Sequence, residues 1–259
     1  MSTQPYVPSG SGHINYYKGG WNIGQKARVG PHKKEAISMA RIYNQRPGRL
    51  RMHVYGGPTK KDKKVATVET VPFKKQGWTK WLRFLGVRAH VPSDIDIILF
   101  PDESKGGDNK GKPHGGERIE IRGRQFRFTA PVSGGGGRLE TFEWRWSDGG
   151  EVGHYTKKIP ETNGRGWKLL RLDTEGQDGS RDQKECVAAF AQTGKFGSKS
   201  HRYQLFNSGA QGRLGERFEL CAYLTFLAIL DQEAREAAKA AAERQAEMNR
   251  RNRQRNGRY

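Results

Sequence analysis

One segment near the C-terminus constrains the fold more than any other part of the 259-residue chain. Residues 216–251 contain no Gly and no Pro and are rich in Ala, Glu, Arg and Leu, a composition that favours a long α-helix. In its first part, Phe218–Leu230, apolar residues occupy every side of the helix, whereas the part from Asp231 onward is Ala-rich and charged. Because a helix that is apolar on all sides has to be surrounded, the rest of the chain is expected to enclose Phe218–Leu230.

The enclosing elements are predicted to be β-strands, because short runs along the chain alternate apolar and polar residues. In residues 139–146, Phe142, Trp144 and Trp146 share one face of an extended strand, and polar residues occupy the other. Such runs, separated by Gly-rich turns, are typical of β-sandwiches and β-barrels. Strands are predicted in residues 49–55, 65–71, 94–100, 119–121, 126–128, 139–146, 167–172, 185–191 and 201–206.

The aromatic residues of the middle strands are expected to fill the interior. Phe126 and Phe128 should point inward together with Phe142, Trp144 and Trp146, with charged residues between them outside or paired. A platform on which nucleic-acid bases stack is the alternative for the last three residues.

The chain is predicted to have three parts. Residues 1–48 read as a basic, loosely ordered arm with a short helix at His32–Tyr43, residues 49–236 as the folded domain, and residues 237–259 as a charged helical extension with an Arg-rich tail. Charge is concentrated at the start, since residues 1–64 hold 13 Lys and Arg but only Glu35 and Asp62 as acids. The formal net charge of +20 predicts attraction to polyanions such as nucleic acid or an acidic membrane.

Three clusters are candidates for binding an anionic partner. The first is a basic loop. The second interleaves cations with tryptophan, a composition typical of segments at a membrane interface. The alternative for the second cluster is a short amphipathic element that closes the barrel. The third is the tail, which is a candidate for nucleic-acid binding or nuclear localisation, or a solvated tail without a ligand. The residues are Lys60, Lys61, Lys63 and Lys64 for the loop, Lys74, Lys75, Trp78, Lys80, Trp81 and Arg83 for the second cluster, and Arg250, Arg251, Arg253, Arg255 and Arg258 for the tail.

No catalytic, metal or cofactor site is predicted. The seven histidines do not pair with each other or with a cysteine at the spacing of zinc ligands. Gly194-Lys195 lacks the other residues of a phosphate-binding loop, and no nucleophile signature is present. Cys186 and Cys221 form no CxxC pair.

The compartment is expected to be intracellular, cytoplasmic or nuclear. The N-terminus lacks the apolar stretch of a secretory signal, so secretion is not expected. Phe218–Leu230 falls short of the about 20 apolar residues that a membrane-spanning helix needs. Any membrane association is therefore expected to be peripheral.

Five motifs, in this order, resemble the tubby C-terminal-like superfamily, in particular its fungal members. They are RFTAP (Arg127–Pro131), TFEWRWS (Thr141–Ser147), GWKLLRL (Gly166–Leu172), ECVAAFA (Glu185–Ala191) and the helical segment Leu214–Glu236. The resemblance covers about Arg49 to Glu236. It implies a closed antiparallel barrel of about twelve strands around a central hydrophobic helix. The superfamily also includes plant proteins of the LURP-one type and phospholipid scramblases. The headgroup-binding residues of tubby proteins are not assigned to positions in this chain.

Three functions follow as hypotheses. The first is a non-enzymatic module that binds anionic lipid, of the phosphoinositide type that the resemblance implies, or a membrane surface. The alternative is a nucleic-acid-binding or nuclear scaffold protein that uses its basic arms. The third is a lipid scramblase, in which the terminal helix would enter the bilayer.

Overall fold

The computed structural model describes two compact units, one up to Leu224 and one from Thr225 onward. The described residues are 13–18, 26–32, 34–46, 49–71, 94–99, 117–121, 126–132, 138–147, 162–174, 182–193 and 199–256. The first unit holds the strands β1 (His13–Lys18), β2 (Lys26–Gly30), β3 (Ser38–Arg46), β4 (Arg49–Tyr55), β5 (Lys64–Val71), β6 (Asp94–Leu99), β7 (Glu117–Ile121), β8 (Phe126–Pro131), β9 (Leu139–Ser147), β10 (Thr162–Arg171), β11 (Glu185–Thr193) and β12 (Lys199–Leu205). A short helix α1 (Asn207–Ala210) follows, and the long helix α2 (Gly215–Asn256) extends through both units.

The strands form one antiparallel sheet in the order β7-β6-β5-β4-β3-β2-β1-β12-β11-β10-β9-β8. Each strand pairs with the strand next to it in sequence, except that β7 does not pair with β8, and β1 also pairs with β12, so the first and last strands meet inside the sheet. The predicted mainly β fold with a C-terminal helix is confirmed.

Closure of the sheet into a barrel, in contrast, is not found. Among the described residues, β7 and β8 come into contact but share no ladder of hydrogen bonds, so these two strands form the edges of the sheet.

The alternation of β8 and β9 sets the inner face as predicted, with one exception. Phe126, Phe128, Phe142 and Trp144 are buried. Trp146 is 51% exposed, so its predicted inward burial is wrong. It shares the inner face with Trp144, but it is next to the last residue of β9, where that face reaches the end of the strand.

Three strands lie within the region that was predicted to be a loosely ordered arm. The predicted helix at His32–Tyr43 is wrong, because β3 starts at Ser38. In β2, Ala27 and Val29 are buried on either side of the exposed Arg28, which is the pattern of a half-buried strand. Small inward residues and frequent cations obscure this pattern in the sequence. One of the two partners of β1 is strand β12, which is almost 190 residues away from it along the chain.

The start of α2 confirms the predicted buried helix. From Phe218 to Leu230 every residue except Leu220 is buried. The Phe218 ring lies 4.6 Å from that of Phe142 on β9, and the Tyr223 hydroxyl hydrogen-bonds the Ser38 hydroxyl on β3.

Contacts with both β3 and β9 require a curved sheet. These strands are six positions apart in the sheet order. In a flat sheet six positions would span about 29 Å at about 4.8 Å per strand, against a helix diameter of about 10 Å. The sheet therefore curves around the part of α2 that belongs to the first unit.

One ionisable group is buried where the helix meets the sheet. Glu219 is only 3% exposed, and burial, together with the nearby charge of Glu216, raises the pKa of its carboxyl to about 7. The negative charge of Glu219 also contributes to the raised pKa of the buried Tyr203 on β12. The folded state therefore keeps the Glu219 proton to higher pH than the unfolded chain, whose reference pKa is 4.5. The stability that this group contributes falls as the pH rises from about 4.5 through about 7.

Glu219→Gln is expected to stabilise the protein at pH 8, by about 1–3 kcal/mol, because it removes the cost of ionising a buried carboxyl. At pH 4 the two proteins should differ little. Urea unfolding at both pH values measures the effect. Glu216→Gln, an exposed residue of the same helical turn, is the control and should change stability by less than about 0.5 kcal/mol. A Glu219→Gln effect that is equal at both pH values would contradict the raised pKa.

Candidate functional site

The basic loop between β4 and β5 is an ordered turn that presents lysines. The Gly56 N–H donates to the Lys63 carbonyl at 2.9 Å. The Asp62 carboxylate accepts the Thr59 N–H at 2.7 Å and the Thr59 hydroxyl at 2.8 Å. The single acid of the loop is thus engaged within the loop, while Lys60, Lys61 and Lys64 are exposed and Lys63 is half-buried.

Gly57 fixes the position of this acid. A Cβ atom at residue 57 would lie 2.3 Å from the carboxyl carbon of Asp62, which is closer than any real contact of a Cβ atom. Only glycine lets the carboxylate approach the backbone in this way. A side chain at residue 57 would therefore displace the Asp62 carboxylate from its hydrogen bonds with Thr59.

A second set of cations occupies the termini of five neighbouring strands. The ends of β1 and β3 and the starts of β2, β4 and β12 lie along the same border of the antiparallel sheet. These strands are neighbours in the order β4-β3-β2-β1-β12, which spans about 19 Å across the strands at about 4.8 Å per strand. The border is staggered, because Lys26 is opposite Arg41 and the end of β3 lies five residues, or about 17 Å, further along that strand. Each end is a cation, and we call the set the basic rim: Lys18, Lys26, Arg46, Arg49 and Lys199.

The opposite border carries the Lys60 loop and is called the hairpin rim; the ends of its described strands, counted without that loop, show no such excess. Along the border that contains the basic rim, five strand ends are basic and only Asp94 is acidic. Along the hairpin rim, Lys64 and Arg171 are balanced by Glu117 and Glu185. The charge of the sheet is therefore asymmetric between its two borders.

Register places like charges directly opposite each other at the basic rim. Arg46 is opposite Arg49, and Lys26 is opposite Arg41 on β3. Like charges at directly opposed positions of antiparallel strands destabilise the sheet.

The structure describes the first predicted cluster but not the second. The loop with Lys60 lies at the hairpin rim, whereas Val71 pairs with Asp94 at the border of the basic rim, about 23 Å further along β5. Val71 and Asp94 flank the second cluster, whose residues lie outside the described part of the chain: Lys74, Lys75, Trp78, Lys80, Trp81 and Arg83.

The tail cluster lies on α2 in the second unit. Arg250, Arg251 and Arg253 are exposed, and Arg251 pairs with Glu247 at 2.5 Å. Arg255 belongs to the helix, and Arg258 lies outside the described residues.

Sequence reasoning missed the basic rim. Its signal was the excess of cations in residues 1–64, which was assigned to an arm because β1, β2 and β3 were not recognised. Lys199 could not be grouped with these residues from the sequence, because only the pairing of β1 with β12 brings it next to Tyr17.

A row of aromatic rings crosses the inner face next to this border. Trp146 on β9 contacts Trp167 on β10 with ring centroids 5.7 Å apart, and Trp167 stacks with Phe190 at 6.4 Å. The row continues to His201 and then to Tyr16, each step 6.3 Å.

The described carboxylates of β9 and β11 are engaged by cations. Glu140 and Glu185 pair with Arg171. Glu143 pairs with Arg127 and Arg145; burial raises the pKa of its carboxyl, but hydrogen bonds from the two guanidinium groups outweigh this and hold the pKa below its usual value. The lowered pKa keeps the Glu143 carboxylate ionised and paired, which makes it unsuited to proton transfer at neutral pH.

Cys186 and Cys221 are both buried, and they form no disulfide. Burial raises the pKa of the Cys221 thiol to about 12, so the nucleophilic thiolate is scarce at neutral pH.

Within the described residues, no three His, Cys, Asp or Glu side chains are grouped so that they could hold a metal ion. No helix in the described part of the chain combines the length and the apolar character that crossing a membrane requires.

Comparison of the chain with protein-family models, curated proteins and solved structures finds no match. Its function therefore has to be inferred from the residues and the geometry described above.

Gly57→Ala is expected to lower the free energy of unfolding by about 1–2 kcal/mol, because the new methyl group collides with the Asp62 carboxylate. The matched test is the same change in an Asp62→Ala background, where the collision partner is gone and the cost should be smaller. Chemical denaturation of the four proteins gives the coupling energy. Additive effects would show that the close approach of Asp62 is not what requires glycine.

Proposed function

We propose that this protein is a non-enzymatic module that binds anionic lipid headgroups, of the phosphoinositide type, at a membrane surface. The observation that carries the proposal is the basic rim, where five neighbouring strands each end in a cation. Cations within a Debye length of an anionic surface attract it without a deep pocket.

The proposal includes membership of the tubby C-terminal-like superfamily. The first four resembling motifs fall on or next to four consecutive strands, β8, β9, β10 and β11, and the fifth falls on α2. We also propose that the sheet closes into a barrel between β7 and β8, which already contact each other.

The expected affinity is modest and sensitive to salt. Each Lys or Arg near an anionic bilayer contributes about 1 kcal/mol, so five contribute about 5 kcal/mol. This corresponds to binding between the millimolar and micromolar ranges. Raising the ionic strength should release the protein, since salt screens charges on the surface.

Neutralising the basic rim should weaken binding to vesicles that contain phosphoinositide by at least about tenfold. The variant is Lys18→Gln, Lys26→Gln, Arg49→Gln and Lys199→Gln, and co-sedimentation at low salt measures the bound fraction. The matched control removes four charges from the opposite border: Lys60→Gln, Lys61→Gln, Lys63→Gln and Lys64→Gln. It should change binding by less than about threefold. A larger loss in the control would move the binding surface to the hairpin rim.

Nucleic-acid binding is the second candidate, favoured by the exposed Arg250, Arg251 and Arg253 on α2. This candidate predicts that deleting residues 250–259 weakens binding to RNA or DNA in a gel shift, with a reduced dependence of affinity on salt. Lipid binding through the basic rim predicts little effect of the same deletion on vesicle binding. A protein that shifts nucleic acid but ignores anionic vesicles at low salt would replace the first proposal with the second.

A further inference from the structure

Trp146 is a large aromatic residue that the fold holds in place while leaving half of it in solvent. It is 51% exposed. Its ring packs edge-on against Trp167 at 5.7 Å, and Trp167 in turn contacts Phe126 at 5.3 Å and Phe190 at 6.4 Å. Because Trp167 is itself held by Phe126 and Phe190, its contact with Trp146 fixes the orientation of the Trp146 indole.

The position of Trp146 relates it to the cations. The aromatic row leads from Trp146 on β9 to His201 on β12 and Tyr16 on β1. Lys199 and Lys18 end these last two strands, each two residues from the ring-bearing position and on the border where β9 also ends. One border of the sheet therefore combines an exposed indole with basic strand ends, across five neighbouring strands.

Indole has the chemistry of the boundary between lipid headgroups and acyl chains. It offers a large apolar surface together with one N–H donor, and tryptophan is accordingly enriched at membrane interfaces. Lys199 and Lys18, on strands three and four positions from β9 along the same border, would meet headgroup phosphates. Charge complementarity and indole chemistry thus point to one occupant of this surface, an anionic bilayer.

We infer that Trp146 is the apolar anchor of the membrane-binding surface and inserts into the interfacial layer of an anionic bilayer when the basic rim engages the headgroups. This inference rests on the proposed function and goes beyond it, because it names the residue that adds a salt-resistant apolar contribution to electrostatic binding. Trp167 is the residue that positions the anchor.

The experiment compares Trp146→Ala with Leu139→Ala. Leu139 is the matched control because it begins the same strand at the opposite border and is 66% exposed. Both side chains are largely in solvent, so thermal unfolding should verify that both variants fold. Binding to vesicles of phosphatidylcholine with phosphatidylserine or a phosphoinositide is then measured at low and at high salt.

Trp146→Ala should lower vesicle partitioning about tenfold, and Leu139→Ala less than about twofold. The fraction of binding that survives high salt should be lost in Trp146→Ala, because that fraction is the apolar one. Lipids brominated near the headgroup should quench the tryptophan fluorescence of the wild type more than that of Trp146→Phe, which would place the indole in the interface directly.

The remaining outcomes separate the two claims. If the wild type binds vesicles and Trp146→Ala binds equally well, the anchor is wrong and the proposed function stands. If Leu139→Ala loses binding instead, the bilayer meets the hairpin rim and the anchor is wrong. If the wild type binds no anionic vesicle, both claims fail. Loss of single-stranded nucleic-acid binding in Trp146→Ala, with vesicle binding unchanged, would make the exposed indole a base-stacking residue and overturn the inference.

Discussion

The fold depends on the enclosure of the start of α2. Phe218 and Tyr223 contact strands that are six positions apart in the sheet, and only a curved sheet can meet one helix on both sides. Burial of apolar surface is the dominant favourable contribution to folding. The composition of β2 and β3 is polar and favours strand formation only weakly. These strands are incorporated because they extend the sheet that packs around the helix.

The up-and-down antiparallel topology gives the sheet two borders whose strand ends differ in charge. Strands that are neighbours in sequence run in opposite directions, so alternate strand starts and strand ends fall on the same border. Cations that are far apart in the sequence, such as Lys18 and Lys199, become neighbours through this arrangement.

Four buried carboxyl groups in the described part of the chain have two different kinds of surroundings. Glu140, Glu143 and Glu185 are buried, and each is paired with arginine, so the negative charge is compensated where water is scarce. Glu219 has the opposite surroundings, and its raised pKa shows that burial disfavours its charged form. Glu219 lies on the same helix around which the sheet curves, and its ionisation lowers the stability of the fold as the pH rises.

The sequence by itself determined the buried helix, the mainly β class and most of the strands from β4 onward, because these depend on the local alternation of side chains around a large apolar segment. It could not determine β1, β2 and β3, since their inward residues are small and the pairing that fixes β1 joins residues almost 190 positions apart. The basic rim and the exposure of Trp146 were likewise decided only by the tertiary structure. Strand register and strand ends, rather than the identity of a residue, set which cations meet and where an inward-facing indole reaches solvent.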